Sequence, residues 1–265
     1  MLRVLTLNIW NLNRWRERRQ EVVRWFDLLQ ADLVCLQEVV DNQDGRNQAG
    51  WLAQAASAGY HWAYGPVGSV APGTSFGNAL LSRWPIDDQA VIRLPSITMP
   101  GEVDRGVLHA RTNGLDLFCT HLSSPYEVGF LRETQVVRLV DVIEGRAAPK
   151  SRLPPILAGD FNAEPDSTEI RYLSGLTSLG GRSAYYQDAW RVAGDPGPGW
   201  TWDNRNRFAA LEHEPDRRID YVFVGWRRPD GAGRVETARV VCNRVLDCDV
   251  HSSDHFGLLV QIRDD

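Results

Sequence analysis

The sequence has few cysteines, no long apolar run and no excess of positive charge. Its 265 residues include only four cysteines, too few and too scattered for the disulfide framework of a small secreted protein. No apolar stretch approaches the roughly 20 residues that span a bilayer, and the N-terminus lacks the pattern of a signal peptide. We therefore expect no membrane span and a reducing, cytoplasmic location, although Cys242 and Cys248 are close enough in sequence to pair.

The charge balance weakens one class of function. The formal net charge is −5, whereas proteins that bind duplex DNA through its phosphates usually present a basic surface. Local basic clusters remain, and they either steer an anion to one face or form an ordinary solvated helix face and loop. The clusters comprise Arg14, Arg16, Arg18 and Arg19, and then Arg217 and Arg218.

Strand-like and helix-like segments alternate without repeats or a long linker, which favours one domain over residues 1–265. Apolar residues at helical spacing predict a helix over 15–30. A capping box with proline at the first helical position predicts a second helix beginning at Ser124. Strands are predicted at 2–9, 33–36, 60–64, 78–83, 89–94, 105–111, 115–121, 155–158, 219–224, 236–242 and 256–262, with a loop-rich stretch over about 185–217. Many strands with few helices indicate mixed sheets stacked together, with helices outside.

Polar side chains stand where several of these strands begin or end. Each alone has an ordinary explanation, such as a turn former, a solvated carboxylate or a structural histidine. Loops at sheet ends, however, are where a rigid scaffold usually presents its chemistry. The clusters are Asn8, Gln37-Glu38, Thr120-His121, Gly159-Asp160-Phe161-Asn162 and Ser253-Asp254-His255.

Together these clusters supply what phosphoryl transfer needs. Glu38, Asn8 and Asp254 offer the hard oxygen ligands that Mg²⁺ prefers. Two imidazoles can donate hydrogen bonds to a phosphate, and a carboxylate beside an amide can hold a water molecule. This combination neutralises developing charge and positions the nucleophile.

In this combination the sequence resembles the endonuclease/exonuclease/phosphatase superfamily, which includes deoxyribonuclease I, apurinic endonucleases, neutral sphingomyelinases, inositol-polyphosphate 5-phosphatases and tyrosyl-DNA phosphodiesterase. The resemblance implies a four-layer α/β sandwich of two packed mixed sheets flanked by helices. It also implies hydrolysis of a phosphodiester, or less readily a phosphomonoester, with one or two Mg²⁺ or Mn²⁺ ions and inversion at phosphorus. Besides the clusters above, the motifs are Gly77-Asn78-Ala79-Leu80-Leu81-Ser82-Arg83, Arg105-Gly106 and Arg218-Ile219-Asp220-Tyr221.

The resemblance assigns a role to each candidate residue. It makes Glu38 the principal metal ligand, with Asn8 and Asp254 near the metal or its waters and Asn8 also near the substrate. It makes Asp160 the general base, and Asn162 a partner of the attacking water or of a phosphate oxygen.

The remaining roles concern the phosphate. The resemblance has His255 bind the scissile phosphate while Asp220 fixes its tautomer, which agrees with the way a buried carboxylate orients a histidine. It has His121 contact a second phosphate oxygen. Arg105 is the candidate for bidentate phosphate binding, against the alternative of an ion pair with Asp104 or Glu102.

The substrate is less tightly indicated. Thr201 and Asn206 lie in a stretch that resembles the Thr-Trp-Asp-x-x-Asn of the tyrosyl-DNA phosphodiesterase branch, so we expect them to contact substrate and the substrate to be a nucleic acid, single-stranded or at a processed end. Asn8-Ile9-Trp10 resembles the sphingomyelinase branch, which makes a lipid head group the second choice. A small nucleotide or sugar phosphate is third, and an inactive binding module with this fold is the remote alternative. No protein partner is indicated.

Ten tryptophans require a separate interpretation. Trp25 and Trp62 lie on predicted elements and are expected in the core. The others near the active face could stack on a base or surround a quaternary amine, or simply anchor long loops. These are Trp10, Trp15, Trp200 and Trp202.

Overall fold

Two six-stranded sheets form the centre of the molecule, in a computed structural model that describes residues 1–42, 47–100 and 102–264. The first sheet has the order β11-β12-β1-β2-β4-β3 and the second β5-β6-β7-β8-β10-β9. The strands are β1 (Leu2–Asn8), β2 (Leu33–Asn42), β3 (His61–Ala71), β4 (Thr74–Ser82), β5 (Ile86–Arg93), β6 (Gly106–Thr112), β7 (Leu115–His121), β8 (Ile156–Asp160), β9 (Gln187–Asp188), β10 (Asp220–Val224), β11 (Val235–Val241) and β12 (Gly257–Ile262).

Helices cover the outer face of each sheet. The α-helices are α1 (Trp15–Leu29), α2 (Gln48–Ala55), α3 (Gly129–Arg146), α4 (Thr168–Leu173) and α5 (Ala189–Ala193), with 3-10 helices at Tyr126–Val128 and Ala209–Glu212. Within the described residues, no helix is long and apolar enough to cross a bilayer.

Alternating side chains build the layers. In β1, Val4 faces the second sheet and joins a core between the sheets, whereas Leu5 and Leu7 face α1 and α2. A third cluster joins the second sheet to α3 and α4. Because the central strands are buried on both faces, they read as nearly continuous apolar runs. The predicted four-layer sandwich of mixed sheets is confirmed.

The predicted strands are all present, but several other predictions were incomplete or wrong. The helix predicted from Ser124 begins at Gly129, after a 3-10 turn, and no side chain caps it. Trp25 is buried as expected, whereas Trp62, on an edge strand, is 42% exposed. The four cysteines are free, so Cys242 and Cys248 do not pair.

The topology brings the predicted site residues to one end of the sandwich. β1 and β2 are parallel, and so are β7 and β8. The Asn8 amide at the end of β1 bonds to Asp160 at the end of β8, so the carboxyl ends of all four strands lie on the same side. β10 is antiparallel to β8, which sets Asp220 directly opposite Asp160. His121 lies opposite Asp160 on the other side, in β7.

Candidate active site

A cleft of about 260 Å³ opens at this end of the sandwich. Loops from both sheets contribute to it, so the site exists only when the two sheets are packed together. The lining residues are Trp10, Asn11, Glu38, His121, Ser124, Asp160, Asn162, Trp202, Glu212, Glu214, Arg217, Ile219, Asp254 and His255.

Asp160 lies at the centre of the cleft floor. The preceding Gly159 has φ 154°, and a Cβ there would stand 1.9 Å from the carbonyl oxygen of Thr120, so only glycine allows β8 to approach β7 this closely. The Asp160 carboxylate accepts hydrogen bonds from the Asn8 amide at 3.0 Å and from the Asn162 backbone at 2.9 Å. Burial, reinforced by the nearby charge of Asp220, raises the pKa of Asp160 to about 6. A carboxylate of that pKa suits a general base near neutral pH.

His255 and Asp220 form a buried pair beside it. The histidine Nδ1 donates to Asp220 Oδ2 at 2.9 Å, and its Nε2 lies 3.8 Å from Asp160 Oδ2. Burial alone would lower the pKa of His255, but the charge and hydrogen bond of Asp220, with the charges of Asp160 and Asp254, raise it to about 10. The ring is therefore protonated at neutral pH, with Nε2 directed toward the cleft, where it can donate to an anion.

Thr201 and Asn206 support this pair from behind. Thr201 accepts hydrogen bonds from the backbone amides of Ile219 and Asp220 at 3.2 and 3.1 Å. The Asn206 amide donates to the carbonyl oxygens of Ser253 and Asp254 at 2.8 and 2.9 Å. Both side chains are fully buried, which differs from the direct substrate contact expected from the sequence. They fix the backbone that carries the site.

Glu38 reaches the cleft because β2 is irregular there. Its φ is 58°, in the left-handed region, and the register of β2 with β4 shifts between Leu36 and Val39. A bulge of this kind redirects a side chain at the cost of local strain. The Glu38 carboxylate accepts from the amides of Asn8 at 3.2 Å and Asn11 at 2.7 Å.

Asp254 is the second carboxylate on this side of the cleft. It is buried and accepts a hydrogen bond from Ser253 Oγ at 3.0 Å. Burial, together with the charge of Glu38, raises its pKa to about 7 despite the opposing charge of His255. Two oxygen-bearing groups that repel each other in this way are suited to a hard divalent cation.

The place of Asn8 near the metal or its waters stays a prediction, and its hydrogen bonds show how the side chain is held. Its Oδ1 accepts from the backbone N–H of Trp10 at 2.9 Å, so the oxygen faces its own loop. Its amide nitrogen donates to both Glu38 and Asp160. In this orientation Asn8 aligns the two carboxylates.

A different group of three residues also has the composition of a metal site. Ligand atoms of Asp160, Asp220 and His255 lie within 4.8 Å of one another. The Nδ1 of His255 is, however, already bonded to Asp220 Oδ2 at 2.9 Å, so two of the possible ligand atoms of this group are engaged with each other. Glu38 and Asp254 therefore fit a cation better than this group does.

His121 and Asn162 complete the opposite wall. The Asn162 amide nitrogen donates to the Leu122 carbonyl at 3.1 Å and lies 3.0 Å from His121 Nε2. Burial, with the charges of Arg105 and His255, lowers the pKa of His121 well below its usual value. A neutral His121 is consistent with a hydrogen-bonding role, while its second nitrogen, Nδ1, is buried with no partner among the described residues.

Arg105 lies behind this wall. It pairs with Glu102 at 2.9 Å and donates to Ser124 Oγ at 3.2 Å, and it is buried. Its Nη1 has no partner within the described part of the chain. The alternative ion pair is thus present, and Arg105 approaches the cleft only through Ser124.

The arginines of the two clusters have different environments in the structure. Arg217 lines the cleft, with its guanidinium 4.6 Å from the Tyr126 ring and paired with Glu214. Arg218 instead forms a buried pair with Asp188 at 2.8 Å. Arg18 is also buried, and it donates to the carbonyl of Ser252 at 2.6 Å. These last two arginines are structural and cannot bind a polyanion.

Sequence reasoning missed several residues of the cleft. Asn11 lines the cleft and orients Glu38. Glu212 and Glu214 add negative charge at the mouth. Short polar residues in loops carry no periodic signal, so only the fold reveals their partners. Of the four tryptophans expected at the active face, Trp10 and Trp202 line the cleft, and Trp15 and Trp200 do not.

Comparison with known proteins agrees with this geometry. The model of the Endonuclease/Exonuclease/phosphatase family matches residues 5–255. An endonuclease/exonuclease/phosphatase from Beutenbergia cavernae is 26% identical, with a TM-score of 0.73 over 99% of this chain and 71% of that one. TDP2 of D. rerio, complexed with a single-strand DNA product, has 20% identity and a TM-score of 0.73 over 99% and 98% of the two chains.

Truncated Caenorhabditis elegans TDP2 is similar to the same extent. It is 21% identical, with a TM-score of 0.69 over 98% of this chain and 97% of that one. No curated protein matches the sequence significantly. At 20–21% identity the likeness to the two TDP2 structures concerns the fold alone.

Proposed function

Because this chain belongs to the endonuclease/exonuclease/phosphatase family, we propose that it hydrolyses a phosphodiester at an end of a nucleic acid, with a bound Mg²⁺ or Mn²⁺ ion. One observation carries the proposal. A buried acid of raised pKa, Asp160, faces a protonated imidazole, His255, across a cleft that also contains Glu38. A general base, a hydrogen-bond donor for the phosphate and a carboxylate for the metal thus lie around one small cleft.

The residues suited to the metal are Glu38 and Asp254. When bound there, a divalent cation neutralises charge that develops on the phosphate oxygens. Asn8 and Asn11 hold the Glu38 carboxylate in place, and Ser253 holds that of Asp254. The ligands are thus fixed by hydrogen bonds before a cation arrives.

The chain's own residues account for the rest of the reaction. Asp160 accepts a proton from the attacking water, which the side-chain oxygen of Asn162 helps to position. His255 Nε2 donates to a phosphate oxygen, and Asp220 maintains its charge. Attack in line with the leaving oxygen inverts the configuration at phosphorus. Asp220 and Thr201 act by position, since neither reaches the cleft.

Several observations favour an end of a nucleic acid as the substrate. The D. rerio TDP2 structure contains a single-strand DNA product, and Thr201 and Asn206 here follow the pattern of that branch. Arg217 supplies a cation at the wall of the cleft. A cleft of about 260 Å³ accommodates a terminal group more readily than a duplex.

One observation favours a second candidate, a phosphodiester with a cationic head group such as sphingomyelin. Glu212 and Glu214 line the cleft together with Trp10 and Trp202, and Glu214 is paired with Arg217. Carboxylates and aromatic faces together attract a quaternary amine. They disfavour a long polyanion at the same place.

A panel of substrates separates these candidates. Purified protein is incubated with Mg²⁺ or Mn²⁺ and with a 5′-tyrosyl oligonucleotide, single-stranded DNA, sphingomyelin or bis(p-nitrophenyl) phosphate. We expect cleavage of the tyrosyl oligonucleotide and of the simple diester, and no product in EDTA. Preferential cleavage of sphingomyelin would favour the second candidate. Activity on none of them, with the metal bound, would contradict hydrolysis and support an inactive binding module.

A further inference from the structure

A second and larger hollow, of about 730 Å³, lies next to the catalytic cleft. It is bounded by the start of α1, by α2 and by the edge strand β3, and we call it the α1–α2 groove. Its wall contains three tryptophans and three arginines against two carboxylates. These eight residues are Trp15, Trp51, Trp62, Arg14, Arg16, Arg19, Glu17 and Asp41.

Packing explains two of the tryptophans but not the third. Trp15 and Trp51 meet edge to face, with ring centroids 5.9 Å apart, and pack partly against the apolar core under the helices. Trp62 is 42% exposed. Its ring lies against Gly50 of α2, where an added Cβ would stand 2.9 Å from the indole. The groove thus keeps one large aromatic ring accessible and supported from behind.

Two guanidinium groups in the groove have no acidic partner among residues 1–42, 47–100 and 102–264. Arg14 is paired with Glu17 at 2.8 Å. Arg16 is exposed and makes no ion pair within the described residues, and Arg19 lies 4.8 Å over the Trp51 ring with its Nε unbonded. In a protein with a net charge of −5, such a site concentrates positive charge locally.

The groove and the cleft share one loop. Asn11 lines the cleft, and the next residue, Leu12, lines the groove. Gln48 of the groove donates to the Asn11 carbonyl at 2.7 Å, and Asn11 in turn donates to Glu38. The cleft and the groove therefore lie on either side of the same loop, which is tied to both by hydrogen bonds.

We propose that the α1–α2 groove binds a single-stranded segment of the nucleic acid whose end occupies the cleft. A base stacks on Trp62, and Arg16 and Arg19 contact the backbone phosphates. Aromatic rings beside arginines are the combination that binds single strands without sequence preference. This inference rests on the proposed function and adds to it a polymeric, single-stranded substrate.

The test measures binding of an oligothymidylate of about 15 nucleotides by fluorescence anisotropy. Asp160→Asn serves as the background so that the probe is not cut. In that background, Trp62→Ala is expected to weaken binding about tenfold or more. Arg16→Gln is expected to flatten the dependence of log affinity on log salt by about 0.7.

Matched control variants lie elsewhere on the surface. Trp226 is 71% exposed and contacts Tyr185, and Arg239 is exposed on β11, at the opposite edge of the same sheet as β3. Trp226→Ala and Arg239→Gln should leave oligothymidylate binding unchanged. In the active background, Trp226→Ala and Arg239→Gln should also hydrolyse bis(p-nitrophenyl) phosphate at the wild-type rate.

Two results would overturn the proposal. One is the absence of oligothymidylate binding at low salt, and the other is equal binding by the groove variants and their controls. Either leaves the proposed hydrolysis standing if bis(p-nitrophenyl) phosphate is still cleaved. Failure of the proposed function is a separate result, in which the wild-type protein cleaves neither that ester nor the tyrosyl oligonucleotide.

Discussion

At the scale of single residues, the cleft depends on carboxylates held in fixed positions. Glu38 has a left-handed backbone and two amide donors, so its side chain is fixed in advance. Asp254 lies near enough for the charge of Glu38 to raise its pKa. This pre-organisation is the feature that a metal site requires.

Glu38→Gln should weaken Mg²⁺ binding by roughly 100-fold and leave the fold intact. The amide keeps the size of the side chain but removes the anionic ligand. Calorimetric metal titration and thermal unfolding measure the two effects. Glu144→Gln, at an exposed position on α3, is the matched control. Unchanged affinity in Glu38→Gln would exclude Glu38 from the site.

Asp220→Asn should shift the alkaline limb of the pH–rate profile to lower pH. The pKa of His255 is raised to about 10, and Asp220 is the main group that raises it against burial. If the imidazolium holds the phosphate, activity falls as pH rises through that value. Without the Asp220 charge the fall must begin earlier. Since metal-bound water also titrates, the comparison of mutant and wild type is decisive, and identical profiles would contradict the pairing.

The residue scale is also where sequence reasoning succeeded most. Asp160, His255 and Glu38 were predicted from motifs, and the fold brings them to one cleft. Their partners could not be predicted, because hydrogen bonds between distant loops leave no local pattern. Asn8 illustrates this, since its oxygen accepts from the backbone of Trp10 and its nitrogen donates to both Glu38 and Asp160.

At the scale of elements, close strand pairing at β7–β8 positions the general base. Gly159→Ala should lower the free energy of unfolding by about 2 kcal/mol or more, because the new Cβ meets the Thr120 carbonyl. Urea denaturation measures this. Gly145→Ala in α3, where nothing lies within 4 Å, should instead stabilise by about 0.5–1 kcal/mol. Equal stability of both variants would refute the role of Gly159.

Thr201→Val tests whether Thr201 positions β10 or contacts substrate. Loss of the hydroxyl leaves the amides of Ile219 and Asp220 unsatisfied, which costs about 1–3 kcal/mol. We expect lower stability and lower kcat with little change in KM, and restoration of both by Thr201→Ser. A raised KM at unchanged stability would instead indicate substrate contact.

The observed strands and helices show which sequence patterns are sufficient to predict an element and which are not. Period-two and continuous apolar runs identified the strands, because burial on one or both faces sets those patterns. Helix α2 (Gln48–Ala55) was missed because its eight residues are too few, and too rich in alanine and glycine, to show a helical pattern of apolar residues. Its N-cap, Asn47, lies in the preceding loop. The capping box at Ser124 was misleading, since Ser124 accepts a hydrogen bond from Arg105 instead.

At the scale of the whole molecule, packing of the two sheets creates the site. Asn8 and Glu38 belong to the first sheet and Asp160 to the second, and the Asn8 amide bonds to both carboxylates. The net charge of −5 makes any polyanion depend on local arginines. The fold class could be predicted from the alternation of strands and helices in the sequence. Which arginines are exposed and which are paired could be seen only in the structure.

The central claim is that this cleft hydrolyses a phosphodiester with Asp160 as its base. The most direct test is the turnover of bis(p-nitrophenyl) phosphate with Mg²⁺ by wild type, Asp160→Asn and Asp203→Asn. Asp203 is also buried, but its partner Arg205 is exposed, outside the cleft. The account predicts a loss in kcat of about 10²–10⁴ for Asp160→Asn and near-normal turnover for Asp203→Asn. Full turnover by Asp160→Asn would contradict it.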